Sequence, residues 1–388
     1  MPSVFCLQGG GNVEQEPKQQ GGGMALLWLG AASVFLAVIL LAALSWGRGE
    51  PAAPAMAPLS ARTVGTDSAR EGTRMVIPLG KAVGIKLFSD GVLVVGLSPV
   101  ETDEGACYPG RDSGLKTGDL ITHIDGEEVD TIEEIQQAVA QGGGEALAIQ
   151  AVRGQQQLQL TASPAENSRG VYQLGVWLRD SMAGIGTMTF YDPDSQMFAA
   201  LGHGINDVDT AMLMPLESGS IMPATVEDVK KGTSGQPGEL HGEFDLTTDL
   251  GTLYANTSRG VFGHLAQQAL VQDLQPVPVA GQEEVEVGEA EIRSNIRGDQ
   301  VETFSIRITR VSDTDDGTRS LMLEVTDPRL LESTGGIVQG MSGSPILQNG
   351  KLVGAVTHVL VNDPTRGYGI LAQDMLAQAG LTSQTKAS

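Results

Sequence analysis

Ser342 stands in the run Gly340-Met341-Ser342-Gly343-Ser344-Pro345, just ahead of two apolar stretches separated by Gln348-Asn349-Gly350. A serine hydroxyl is a weak nucleophile near neutral pH. It becomes an effective one when a base takes its proton and hydrogen-bond donors hold the developing oxyanion. Gly340 and Gly343 free the backbone here, so that the N–H groups of Gly340 and Ser342 can converge on one point. Pro345 suits the first residue of a strand, where a missing N–H is tolerated. The base must come from His123, His203, His241, His264 or His358. His203, framed by Gly202 and Gly204 at the end of an apolar run, is the candidate; His358 lies inside an apolar strand and reads as a core or cleft-wall residue. A third group, a carboxylate that fixes the imidazole tautomer, is expected. Asp327, Asp245, Asp249, Asp207 and Asp363 all qualify on position, and the residues alone do not choose among them.

Composition bounds the chemistry. The net charge of −23 excludes a nucleic-acid-binding role, which requires a basic face to neutralise phosphates. Abundant glycine (51 residues) and scarce aromatics favour short strands joined by turns, hence a mainly β fold. Cys6 and Cys107 are the only cysteines, too few for a disulfide framework or a cysteine zinc site, and no His-Glu-x-x-His pattern occurs. No metal and no cofactor is expected.

The 388 residues allow two or three domains. Residues 1–23 are polar and rich in Gly and Gln, a disordered cytoplasmic tail. Residues 24–46 form an uncharged apolar run long enough to cross a bilayer, which predicts a transmembrane signal anchor. Residues 47–74, rich in Ala and Pro, read as a flexible linker and as a reachable place for self-cleavage. Structure is expected from 75: two strands with a turn at 89–91, then a strand, a turn at Asp125-Gly126, a helix from Thr131 as N-cap, and a final hairpin. From 168 on, the chain is a succession of strand-like pieces ending in a helix over 369–380.

Residues 75–163 resemble a PDZ domain, through Gly-Leu-x-x-Gly-Asp-x-Ile at 114–121, Ile-Asp-Gly at 124–126 and the helix behind them. The resemblance implies a peptide-binding groove, and by position Gly80, Lys81, Ala82, Val83, Gly84 and Ile85 form its carboxylate-binding loop. The Ser342 turn resembles the nucleophile turn of chymotrypsin-like serine peptidases, which implies a two-barrel domain over 168–388 with Gly340 and Ser342 lining the oxyanion hole. Met341 replaces the aspartate that digestive relatives carry there, so activation by an inserted N-terminus is not expected.

Taken together, the anchor, the PDZ domain, Ala-Leu-Gly-His-Gly-Ile at 200–205, Thr-Asp-Pro at 326–328 and the stretch 335–370 resemble the sporulation stage IV protein B (SpoIVB) family of serine peptidases. That resemblance selects Asp327 as the third member beside His203 and Ser342. It implies a self-cleaving endopeptidase of endospore formation, exported from the forespore into the intermembrane space. Its protein substrates are itself and a membrane-bound regulator of an intramembrane metalloprotease, whose release activates a late mother-cell sigma factor. The competing reading is a non-catalytic PDZ adaptor at the membrane.

Overall fold

The computed structural model describes residues 74–312 and 317–380. The expected tail, membrane anchor and nearly all of the linker lie outside the described residues. Among the described residues, no helix is long and apolar enough to cross a membrane.

The first departure from expectation comes at once. The run from Met75 forms one strand, β1 (Met75–Leu97), rather than two. Gly91 adopts φ 90°, and the pairing register shifts between Phe88 and Leu93, so the predicted turn is a bulge that bends a continuous strand. Strands β2 (Leu120–Ile124), β3 (Leu147–Arg153) and β4 (Gln156–Ala162) follow, with helix α1 (Ile132–Gly142) between β2 and β3. Thr131 caps α1 as predicted: its side chain accepts from Glu134 N while the Glu134 carboxylate accepts from Thr131 N.

The chain then supplies β5 (Val176–Asp192), β6 (Met197–Ala200), β7 (Ser218–Lys230), β8 (Glu239–Phe244), β9 (Gly251–Thr257) and β10 (Gly260–Leu265). Strands β1, β5, β6, β10, β9 and β7 pair in that order, and β7 pairs back onto β1, closing a six-stranded barrel. Val83, Ile85, Leu87, Met188, Phe198, Ile221 and Val261 fill it. A second closed barrel consists of β11 (Gly288–Arg297), β12 (Gln300–Val311), β13 (Leu321–Val325), β14 (Pro345–Gln348), β15 (Lys351–Leu360) and β16 (Asp363–Leu371). Phe304, Ile306, Ile308, Leu323, Ile346 and Val356 form its core. Helix α2 (Pro328–Thr334) precedes the Ser342 turn, and α3 (Ala372–Gln378) ends the described chain. The helix expected from 369 starts later because 369–371 complete β16.

The two-barrel architecture holds, but residues 75–163 are not all PDZ domain and the peptidase barrel does not begin at 168. Residues 83–88 pair with β7 in the first barrel, and only from Val92 does β1 pair with β2 of the PDZ sheet. The reason lies in the alternation of Val83, Ile85 and Leu87, all essentially buried. Their apolar face completes the barrel core, a gain of roughly 1.5–3 kcal/mol per side chain over exposure. The PDZ module is therefore inserted between the first two strands of the barrel. Those strands run antiparallel from Ile77↔Tyr191 in the barrel to Leu97↔Val176 in the PDZ module, as one continuous ribbon.

Asp119, from the Gly-Asp pair that marks the PDZ sequence, is fully buried. It accepts from Arg153 Nε (2.6 Å) and Nη2 (2.7 Å) and from Lys116 N (2.8 Å). Asp119→Asn should destabilise the PDZ module by about 2 kcal/mol in urea melts, below the full figure for a buried pair because the Arg153 side chain is a third exposed.

Candidate active site

Each carbonyl around Ser342 is tied down. Gln339 O accepts from Leu240 N (2.9 Å), Met341 O from Ser344 N (2.9 Å) and Ser342 O from Thr187 N (3.1 Å); Gly340 O accepts from Thr187 Oγ1 (2.7 Å). In a trans peptide the N–H points opposite to the preceding C=O. The N–H of Gly340 is thus turned away from Leu240, and that of Ser342 away from Ser344. Neither donates to an acceptor among the described residues. Two unpaired donors beside a serine hydroxyl are what an oxyanion requires. Gly343, at φ 96°, allows this docking: a Cβ there would stand 2.1 Å from Thr187 O and 2.6 Å from Leu201 N.

The same approach delivers His203. Leu201 N donates to Thr187 O (3.2 Å), so Thr187 holds both the Ser342 turn and the segment leading to His203. Leu201 and Gly202 both take φ of 70°. Beyond the histidine, the Asn256 amide receives Ile205 N (2.8 Å) and donates to the carbonyls of Ile205 and Met214 (2.9 Å each). His203 Nδ1 lies 2.8 Å from Gly204 O. A carbonyl only accepts, so Nδ1 carries the proton and Nε2 offers a lone pair. The His203 ring packs at 5.2 Å from that of His358. Ser342 Oγ donates to the carbonyl of Thr357 (2.8 Å), the residue before His358, and not to His203. Ser342 and His203 thus each contact one of two adjacent residues of β15, Thr357 and His358.

Burial sets the electrostatics. It lowers the His203 pKa, opposed by the Gly204 hydrogen bond, and it pushes His358 down to about 3, with His203 and Arg319 adding repulsion. Both rings are neutral at ordinary pH.

The carboxylate assignment fails. Asp327 is the N-cap of α2: it accepts from Arg329 N (2.9 Å) and Ser305 N (3.3 Å) and pairs with the Arg329 guanidinium (2.9 Å), which holds its pKa below the usual range. Asp207 pairs with Arg179 (2.7 Å), Asp245 binds Thr247 and Thr248, and Asp363 binds Thr365. No carboxylate among the described residues bonds His203; the Gly204 carbonyl does the tautomer-fixing work.

The PDZ assignment also moves. Gly80–Ile85 are not a loop. Ala82, Val83, Gly84 and Ile85 pair with β5, and the last three also with β7, so their backbone groups face neighbouring strands. A different segment has the features sought. Leu174 is buried, Gly175 takes φ 66°, and neither N–H donates among the described residues. It leads into β5, whose outer side is unpaired over 176–181 among the described residues. Helix α1 flanks that edge, with Ile132 N bonded to Asp180 (2.9 Å) at one end and Gly144 against Tyr172 at the other. The signal missed in the sequence was Leu174-Gly175-Val176, an apolar–Gly–apolar step before a strand.

Comparison with known proteins agrees with both modules. The family model for SpoIVB peptidase S55 matches residues 170–376, more than half of the chain, and a PDZ model matches 105–153. A crystal structure of the PDZ domain of an SdrC-like protein from Listeria monocytogenes is 28% identical, covering 23% of this chain and 87% of that one (TM-score 0.19). The active form of the Rv3671c protease from M. tuberculosis is 17% identical over 53% of this chain and 76% of its own (TM-score 0.27). An inactive form is 15% identical, covering 50% and 84% (TM-score 0.27). No curated protein matches.

Two outcomes follow from the geometry. Gly343→Ala must push the turn away from Thr187 and should cut peptidase activity by about 100-fold. With His203 acting as base in its neutral form and its pKa depressed, kcat/KM should fall only as pH drops through a value below about 6.5, read from the acidic limb of the pH profile.

Proposed function

Because the chain belongs to the SpoIVB peptidase S55 family and is a serine peptidase, we propose that Ser342 is its nucleophile and His203 its base. We propose further that it serves as a membrane-tethered, self-cleaving signalling endopeptidase of endospore formation. The observation that carries the catalytic part is the pair of unpaired N–H groups at Gly340 and Ser342, beside a hydroxyl and a neutral imidazole.

In this reading Ser342 Oγ attacks the scissile carbonyl as His203 Nε2 takes its proton. The Gly340 and Ser342 N–H groups receive the oxyanion. His203 returns the proton to the leaving amine, and water then releases the acyl group by the reverse route. The imidazolium formed in each half is stabilised at Nδ1 by a carbonyl dipole instead of a carboxylate.

The PDZ edge at 176–181, with Leu174 and Gly175 at its head, supports docking of an extended peptide by strand addition. Its ligand in this account is a segment of the protein substrate, either a second copy of this chain or a membrane-bound regulator whose cleavage frees an intramembrane metalloprotease. The apolar run 24–46 supports tethering with both modules outside the cytoplasm.

Ser342→Ala should abolish both cleavage and labelling by a fluorophosphonate probe, with thermal stability kept within a few degrees. Labelling or cleavage that persists in Ser342→Ala rejects the assignment.

A further inference from the structure

Side chains alternate along β16. A Cβ at Gly369 would stand 2.9 Å from Ile346 Cδ1, and one at Gly367 would stand 2.6 Å from Ile337 Cδ1, so both positions face the barrel core and Tyr368 faces outward. His358 lies directly opposite Tyr368 and shares its face, where its ring meets that of His203. Arg319 reaches the same face from the loop before β13. Thr318 O accepts from Thr357 Oγ1 (2.9 Å), and the Arg319 guanidinium lies over the Tyr368 ring, 5.4 Å from its centroid. Burial, His203 and the Arg319 charge together depress the His358 pKa. Arg319 is exposed and has no carboxylate partner among the described residues. Neighbouring cations are engaged elsewhere: Arg259 with Asp374 (3.5 Å) and Arg366 with Met322 Sδ (3.2 Å).

This face borders an open strand edge. β15 pairs with β14 only as far as Ala355, and 358–360 have no strand neighbour on that side among the described residues. Every ladder of the second barrel is antiparallel. A peptide added in the same sense runs from Leu360 toward Ser342, so the residues ahead of its scissile bond lie along 358–360. Alternate side chains of that peptide fall on the face of His358, Tyr368 and Arg319. A guanidinium stacked on an aromatic ring keeps its planar fork of N–H donors for a carboxylate. We infer that Arg319 is a specificity-determining residue: it pairs with an acidic side chain at the second, third or fourth residue ahead of the scissile bond. This rests on Ser342 being the nucleophile.

The test is inactivation of the whole chain by tetrapeptidyl diphenyl phosphonates. They carry alanine throughout, except for Glu, Gln or Lys at the second, third or fourth residue counted back from the phosphonate end. In each, the Ser342 Oγ–P bond forms, the bond from phosphorus to one phenoxide breaks, and the serine proton passes by way of His203 to the departing phenoxide. At one or more of the three positions, the Glu probe should inactivate the parent about 5–10-fold faster than the Gln probe, with Lys slowest. Arg319→Gln should bring the Glu-to-Gln ratio within about twofold of one, and Arg319→Glu should make Lys faster than Glu by about fivefold. Arg319→Lys, which keeps the charge, should keep the direction of the parent's preference. Each result is a ratio between probes on one protein, so a partial loss of folded material cancels. Equal rates for the three probes at every position in the parent overturn the inference, as does a preference for Glu that survives Arg319→Gln or fails to reverse in Arg319→Glu. Labelling by a small fluorophosphonate and by none of the peptides overturns it too, because it contradicts peptide placement along 358–360. Failure of every probe, the fluorophosphonate included, to label the parent counts against Ser342 as nucleophile, a distinct result.

Discussion

The hydrogen bonds of one residue join the two halves of this enzyme. Thr187 gives its N–H to Ser342 O and its hydroxyl to Gly340 O, and it receives Leu201 N on its carbonyl. The Ser342 turn belongs to the second barrel and the His203 segment to the first. Their meeting depends on a strand interior that is polar on one side and packed on the other. Gly343 makes the approach sterically possible, and Leu240, Ser344 and Asn256 fix the surrounding peptides. The site is thus preorganised by backbone hydrogen bonds from three directions, which costs no reorganisation at the moment of reaction.

Thr187 lies on β5, and the first residues of β5 are the open edge of the PDZ sheet. The proposed docking edge and the residue that holds the Ser342 turn therefore share a strand that pairs with β1 along nearly its whole length. An insertion between the first two barrel strands ties the module more firmly than a flexible linker does, because two strands cross the junction and both are hydrogen-bonded. Domain order in the sequence conceals this arrangement.

Much was legible beforehand. Glycines around Ser342, Pro345 at a strand start, Asn349-Gly350 as a hairpin turn and Thr131 as a helix cap each carry a local backbone requirement, and the structure meets all four. The errors have local causes too. The family resemblance selects Asp327, yet Asp before Pro before an apolar helical run is also an N-cap signature, and Asp327 caps α2. Gly80 and Gly84 looked like loop residues, whereas their neighbours Val83, Ile85 and Leu87 alternate as a barrel strand does. The hydroxyl contact from Thr187 to Gly340 spans more than a hundred and fifty residues of chain and has no sequence signature.

The most direct test of the account is a crystal structure of the covalent fluorophosphonate adduct. The account requires phosphorus on Ser342 Oγ, the phosphoryl oxygen about 2.7–3.1 Å from both the Gly340 and Ser342 nitrogens, and His203 Nε2 facing the reacting centre with Nδ1 still on Gly204 O. A phosphoryl oxygen directed away from both nitrogens, or a His203 ring remote from the adduct, would contradict it.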